Sequence, residues 1–174
     1  MRTSMLGGVI VVATTLSGSV SPLMTASTDS ATGSSAIVRL AGSWSFVVYT
    51  ADAPDTPVAT GRREMTLLAD SLKVAWTESY DARSGTSSGF LGFNPRARKY
   101  YLMGVSSNRP DPMYLVGTAT AAGIEFHPRQ SPGGVGNRPG LYIASELHMI
   151  DDDHFEWRAF DGRWRFVYRR VPAR

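Results

Sequence analysis

DDDHFEWRAFDGRWRFVYRR, residues 151–170, is the densest run of charged and aromatic side chains in the chain. Three acids beside His154 suggest a metal site or an acid–base cluster, but alternation supports a different reading. Asp161-Gly162 between two alternating runs is the signal of a type I′ hairpin. A two-residue loop there pairs Phe160 with Arg163, Ala159 with Trp164, Trp157 with Phe166 and Phe155 with Tyr168. Every large apolar residue except Phe160 and Val167 then falls on one face, and Glu156, Arg158, Arg163 and Arg165 share the other. A slip of one residue would mix the two sets, so the register is strongly specified.

The same test works upstream. With Asp151, Asp152 and Asp153 as a three-residue loop, Met149 pairs with Phe155, Leu147 with Trp157 and Ser145 with Ala159. On the polar face His148 stands opposite Glu156 and Glu146 opposite Arg158, cross-strand pairs worth roughly 0.2–1 kcal/mol each. The aspartates fit a turn because Asp tolerates turn conformations and bonds local amides. The run lacks the glycine and distal glutamate of an EF-hand loop, and zinc would need ligands beyond the remote His127, so no metal is expected.

The rest of the chain repeats this rhythm. Short extended runs follow one another from Ser43 on: SWSFVVYT, GRREMTLLA, LKVAWTESYD, GFLGFN, KYYLMGVS, MYLVGTAT, IEFHP and GLYIASELHMI, then the two strands of the opening hairpin. None has a sustained helical period. About ten strands at this spacing predict an all-β fold, a single antiparallel meander that closes into a barrel or folds as a sandwich. Asn108–Pro112 and Pro128–Gly140 are too rich in Gly and Pro for strands and are expected as loops. Phe46, Val48, Tyr101, Leu102, Met103, Leu115 and Trp164 are read as core.

The N-terminus differs in kind. Met1-Arg2 supplies a positive start, and LGGVIVVATTL, residues 6–16, is long enough for a signal-peptide core but too short to span a bilayer. Residues 1–26 are expected as a signal peptide, with cleavage after Ser19 or Ala26, and residues 27–36 as a disordered Ser/Thr/Ala linker. An uncleaved membrane anchor is the competing reading. The part from Ile37 on, residues 37–174, is read as the barrel domain, large enough to bury roughly two-thirds of its unfolded surface. The chain has no cysteine, hence no disulfide, thiolate ligand, cysteine nucleophile or lipid-anchored cysteine. Export to the periplasm or medium is expected, with no stable membrane insertion once the signal is removed.

Net charge is +3, carried by 16 arginines and 2 lysines against 15 acids. Most arginines alternate with acids or lie in turns, whereas a nucleic-acid binder concentrates basic charge on one face. No nucleic-acid partner is expected.

One pairing stands out. With Asp70-Ser71 as a turn, Leu67 meets Val74, Met65 meets Trp76, Arg63 meets Glu78 and Gly61 meets Tyr80. An Arg–Glu pair on an apolar face is costly to desolvate and invites a functional question. Either it is a wet pair at a barrel mouth that fixes register, or it anchors the polar end of a ligand in an apolar cavity. Candidate lining is Arg63, Trp76, Glu78 and Tyr80. No catalytic residue is assigned: there is no G-x-S-x-G elbow, and an arginine opposite a carboxylate favours its charged form over proton exchange. By parity His127, His148 and His154 point outward, away from any haem inside.

Leu40–Trp44, LAGSW, contains Gly42-Ser43-Trp44, a G-x-W entry that resembles lipocalins and other calycin barrels. That resemblance implies that Trp44 closes one barrel end beneath an arginine from the last strand, Arg169 or Arg170. Most of the chain after the linker also resembles a domain-of-unknown-function family of exported bacterial proteins with a lipocalin-like barrel. The likeness is carried by the LAG-x-W opening, WTESY at 76–80, the G-x-x-GFNP-x-x-x-x-Y hairpin at 89–100 and the IDDDHF turn. It implies a secreted barrel that binds a small apolar molecule. Related nitrobindin-type barrels bind haem through a histidine near the C-terminus; RWRFVYRRV, residues 163–171, has none, and no cofactor is expected. The leading expectation is a non-enzymatic carrier or sensor of a small hydrophobic ligand. The alternatives are an enzyme acting in the same cavity, or a protein-interaction module using the charged outer face of the last three strands.

Overall fold

Alternation of apolar and polar side chains decides the architecture. In the computed structural model, which describes residues 28–70, 72–82, 85–107, 109–129 and 144–172, ten antiparallel strands follow a single short helix. The helix α1 is Thr28–Leu40; the strands are β1 Gly42–Thr50, β2 Ala59–Leu67, β3 Lys73–Tyr80, β4 Thr86–Asn94 and β5 Lys99–Ser106, then β6 Arg109–Ala119, β7 Gly123–Pro128, β8 Ser145–Met149, β9 His154–Ala159 and β10 Trp164–Arg170. Each strand pairs with its neighbours in sequence, and β10 returns to β1, so the meander is a closed barrel with no free edge. The fold is lipocalin-like.

The opening hairpins have the register that alternation predicts. Phe155 lies opposite Tyr168 and Trp157 opposite Phe166; Leu147 lies opposite Trp157 and Glu146 opposite Arg158. The turn at Asp161-Gly162 is longer than the two-residue type I′ turn expected. Gly162 N–H donates to Ala159 C=O at 3.0 Å, and only Gly162, at φ +73°, lies in the left-handed region. Asp161 instead accepts from Arg163 N–H, which leaves four residues between the strands without altering their register.

Two expectations about loops are corrected. Residues 109–112 belong to β6 rather than to a loop, because the pairing of β5 with β6 shifts register between Gly104 and Ser106 and so absorbs the Pro-rich stretch. Residues 28–40 form a helix where composition predicted a disordered linker over 27–36. The helix is held by packing: Ile37 and Leu40 are fully buried, and Gly33 lies so close to the Phe93 ring that any side chain there would overlap it. Most of the loop expected at Pro128–Gly140, and the expected signal peptide, lie outside the described residues.

Helix α1 sits at the barrel end formed by the loops 68–72, 94–98, 120–122 and 150–153, referred to below as the closed end; the opposite end is the mouth. Inward side chains are mainly apolar, among them Trp44, Phe46, Val74, Leu91, Leu102, Leu115, Phe126 and Phe155; Arg63, Glu78 and Ser145 are the buried exceptions among the described residues. Outward positions on β8–β10 carry Glu146, Glu156, Arg158 and Arg165, most of them in cross-strand ion pairs. An apolar interior with charge outside is the reverse of a membrane-spanning barrel. No described helix is long and apolar enough to cross a membrane.

Candidate functional site: a buried ion pair in an aromatic lumen

The hairpin joining β2 to β3 sets the site. Asp70 accepts from Leu72 N–H at 3.0 Å and Leu68 N–H donates to Lys73 C=O at 2.9 Å, which pins the turn. The resulting register puts Arg63 opposite Glu78, Met65 opposite Trp76 and Gly61 opposite Tyr80, as alternation predicts. Arg63 and Glu78 are 4% and 5% exposed, so the pair is in the interior and not a wet rim contact.

Both charges are fully engaged with each other. Arg63 donates from Nε to Glu78 Oε2 at 2.8 Å and from Nη2 to the same oxygen. Tyr168, from the opposite end of the chain, donates its hydroxyl to that oxygen too, at 3.3 Å. All three bonds therefore fall on Oε2. Around the guanidinium stand three rings, Tyr168 at 4.7 Å, Trp76 at 4.9 Å and Trp157 at 5.4 Å. Cation–π contact of this kind is worth about 2 kcal/mol when desolvated and offsets part of the cost of burial.

The electrostatics follow from this enclosure. Burial is the largest influence and works against the Arg63 charge, but Glu78, Tyr168 and Tyr80 together outweigh it, so the guanidinium is raised above its ordinary value. Burial pushes the Tyr168 phenol well above its ordinary range, with the nearby Glu78 charge adding to the effect and Arg63 opposing it. Tyr168 is thus held as a neutral donor.

Glycines give the rings their space. Gly89 and Gly104 lie opposite each other on β4 and β5, and Trp76 lies over both. A Cβ on Gly104 would be 2.8 Å from the indole. Buried in this bed, Trp76 Nε1 has no hydrogen-bond partner, whereas Trp157 Nε1 donates to Ser145 Oγ at 3.0 Å. Nearer the mouth Trp164, Phe166 and Tyr80 are only half-buried and continue the aromatic wall. Phe46 meets Tyr80 edge-on at 5.3 Å. Of the expected lining, Arg63, Trp76 and Glu78 converge at one point, and Tyr80 lies toward the mouth. Tyr168 and Trp157 complete the site but were not expected there; their strand parity places them inward, but only ring closure brings them to Arg63.

The closed end is sealed by the Trp–Arg pair. Trp44 is fully buried and donates from Nε1 to Leu40 C=O at 2.9 Å, which ties the strand to the end of α1. Arg170 lies 4.2 Å over the indole and donates to Ala41 C=O and Arg39 C=O. It also bonds Asp152 C=O and the Asp153 carboxylate. The three aspartates therefore form a turn whose acids meet Arg39 and Arg170. Gly42 of the G-x-W entry has φ +133°, and a Cβ there would be 2.5 Å from Arg170 Nη1. Both backbone conformation and the close guanidinium require glycine. Arg169, the other candidate for closure, faces outward opposite His154 because it has the opposite strand parity to Tyr168 and Arg170.

Elsewhere, an open groove of about 350 Å³ lies along the outside of β10, β1 and β2, bordered by Ser45, Arg62, Asp81 and Arg169. His127 bonds Glu125 at 2.7 Å, and His148 lies opposite Glu156 on the outer face. Met103 and Tyr101, read from the sequence as core, point outward, and Met103 is half-exposed. In the β4–β5 hairpin both faces are apolar, so alternation cannot choose between them.

Among known proteins, the sequence matches no family model and no curated protein. The likeness to lipocalins therefore rests on the closed meander and its Trp44–Arg170 seal.

Proposed function

We propose that the protein is a non-enzymatic binder of a small, mainly apolar molecule, which enters from the mouth and sets its polar end against the Arg63–Glu78 pair. The observation that carries this reading is a desolvated ion pair ringed by aromatic side chains, with Trp76 Nε1 buried beside it without an acceptor. A buried pair is a poor way to stabilise a fold compared with apolar side chains of the same volume. Anchoring a ligand is a reason to keep one. The apolar run Leu6–Leu16 supports export of the binder through an N-terminal signal.

Native beside denaturing mass spectrometry on the chain produced with its own N-terminal segment tests both parts. Denaturing mass fixes the mature N-terminus: loss of residues near 1–26 supports export, and an intact Met1 overturns it. Native mass in excess of the denatured mass is the expected sign of bound ligand. The neutral probe N-phenyl-1-naphthylamine is then titrated in. Fluorescence enhancement that weakens at least tenfold in Glu78→Gln supports the lumen site. No excess mass together with no probe binding overturns the reading.

A further inference from the structure

The outer wall of the barrel is divided in two. Strands β2 and β7–β10 carry charges along their outward faces, but β4, β5 and the described outward positions of β6 are uncharged above the hairpin tip. Phe90, Met103 and Tyr114 form one lateral row across these strands, continued onto β3 by Ala75. Val105 stands one row nearer the mouth, opposite Ser88, and Tyr101 one row nearer the closed end. Phe90, Met103 and Val105 are 49%, 48% and 52% exposed, three of the most exposed large apolar side chains among the described residues, and they are contiguous. Scattered exposed apolar residues need no explanation, but a contiguous patch does.

Below the patch the wall turns cationic. The β4–β5 hairpin tip reads Asn94-Pro95-Arg96-Ala97-Arg98-Lys99, three cations and no acid, and Arg96 and Arg98 are exposed. Lys73 and Lys99 are the only lysines in the chain, and both border this wall. Lys73 lays its stem across Gly92 and bonds Asp70 at 3.1 Å, while Lys99 bonds Thr118 at 2.7 Å. An apolar band with aromatic side chains and a basic border has the composition of a surface that rests on anionic lipid.

We infer that the outer wall of β4–β6 is a docking face for an anionic phospholipid surface, with Phe90, Met103 and Val105 seated at the headgroup–acyl boundary and Arg96, Arg98 and Lys99 on the headgroups. Size argues for lipid over a second copy of the chain. From strand spacing and rise, the patch is about 10 Å by about 13 Å, far below the roughly 800 Å² per partner of a stable protein interface. A lipid surface accommodates a small apolar face and is drawn to the tip by charge.

Vesicle co-sedimentation of the full chain tests the inference, comparing phosphatidylcholine alone with phosphatidylcholine containing about one-third phosphatidylglycerol. The expected result is binding at least tenfold stronger to the anionic vesicles, since each basic residue near such a surface contributes about a factor of five. Phe90→Ser/Met103→Ser/Val105→Ser and Arg96→Glu/Arg98→Glu are each expected to lower that binding at least tenfold; all five positions are exposed, and thermal melts confirm that the variants fold. Failure of the wild type to sediment overturns the inference. So does equal binding by the variants, which would assign membrane contact to the N-terminal apolar run, as would dimerisation in solution that the triple variant abolishes.

Discussion

Arg63 and Glu78 face each other across the β2–β3 ladder with both charges inside the barrel, and the carboxylate oxygen they share also accepts the hydroxyl of Tyr168 from β10. The pair joins the second, third and last strands at one oxygen. Removing one charge leaves the other desolvated and unanswered. Arg63→Ala is expected to cost about 3–5 kcal/mol by urea denaturation, and the double replacement Arg63→Met/Glu78→Leu far less, because apolar groups of similar volume need no compensation. A double variant less stable than Arg63→Ala would show that the pair contributes net stability.

Tyr168 gives the fold a pH limit on the alkaline side. Its folded pKa is raised, so its contribution is complete below the unfolded value of about 10 and is lost as pH rises from there through the folded value. Wild-type stability is expected to fall between about pH 10 and 11 more steeply than that of Tyr168→Phe, which has no phenol to ionise. Denaturant melts at pH 8, 10 and 11 make the comparison. Parallel curves for the two proteins would refute it.

Arg170 meets Trp44, two backbone carbonyls of the α1–β1 junction and the 151–153 turn with one planar fork. Lysine cannot reproduce that geometry. Arg170→Lys is expected to cost about 1–3 kcal/mol, in line with losing several charge-assisted hydrogen bonds. Hydrogen exchange should quicken at residues 39–44 and 151–153 and remain unchanged at β5 and β6. Uniform quickening would mean that Arg170 supports the whole barrel and not its end.

Gly104 is required by the indole it underlies. The three atoms nearest to where its side chain would lie belong to the Trp76 and Met113 side chains, not to backbone. Gly104→Ala is expected to destabilise by about 1–3 kcal/mol through overpacking, and adding Trp76→Leu should recover part of that loss. The quantity to measure is the coupling energy from the double-mutant cycle; a value near zero would place the strain elsewhere.

How much of this was legible depended on whether the information was local. The hairpins at 68–72 and 150–153, and the strand register at 160–163, follow from alternation, because a shift of one residue would reverse every side chain on a half-buried strand. Arg63 opposite Glu78 was therefore readable, as was the inward parity of Trp76. Alternation was silent where both faces of a strand are apolar: the β4–β5 hairpin gave no choice of face, and Met103 and Tyr101 proved to be outside. Composition misjudged residues 28–36, because the Ser- and Thr-rich segment has little helix preference of its own and becomes helical against Phe93 and the barrel end.

By itself the sequence determined strand number, strand order along the chain, local register and the charged pair at the centre of one hairpin, all set by side-chain period and turn chemistry within about twenty residues. The tertiary structure alone decided that β10 closes on β1, that Arg170 rather than Arg169 seals Trp44, and that Tyr168 and Trp157 enclose Arg63. Those contacts join positions roughly a hundred residues apart. Their geometry is fixed by ring closure and by which small residues leave room for which rings, and neither is encoded in any local pattern.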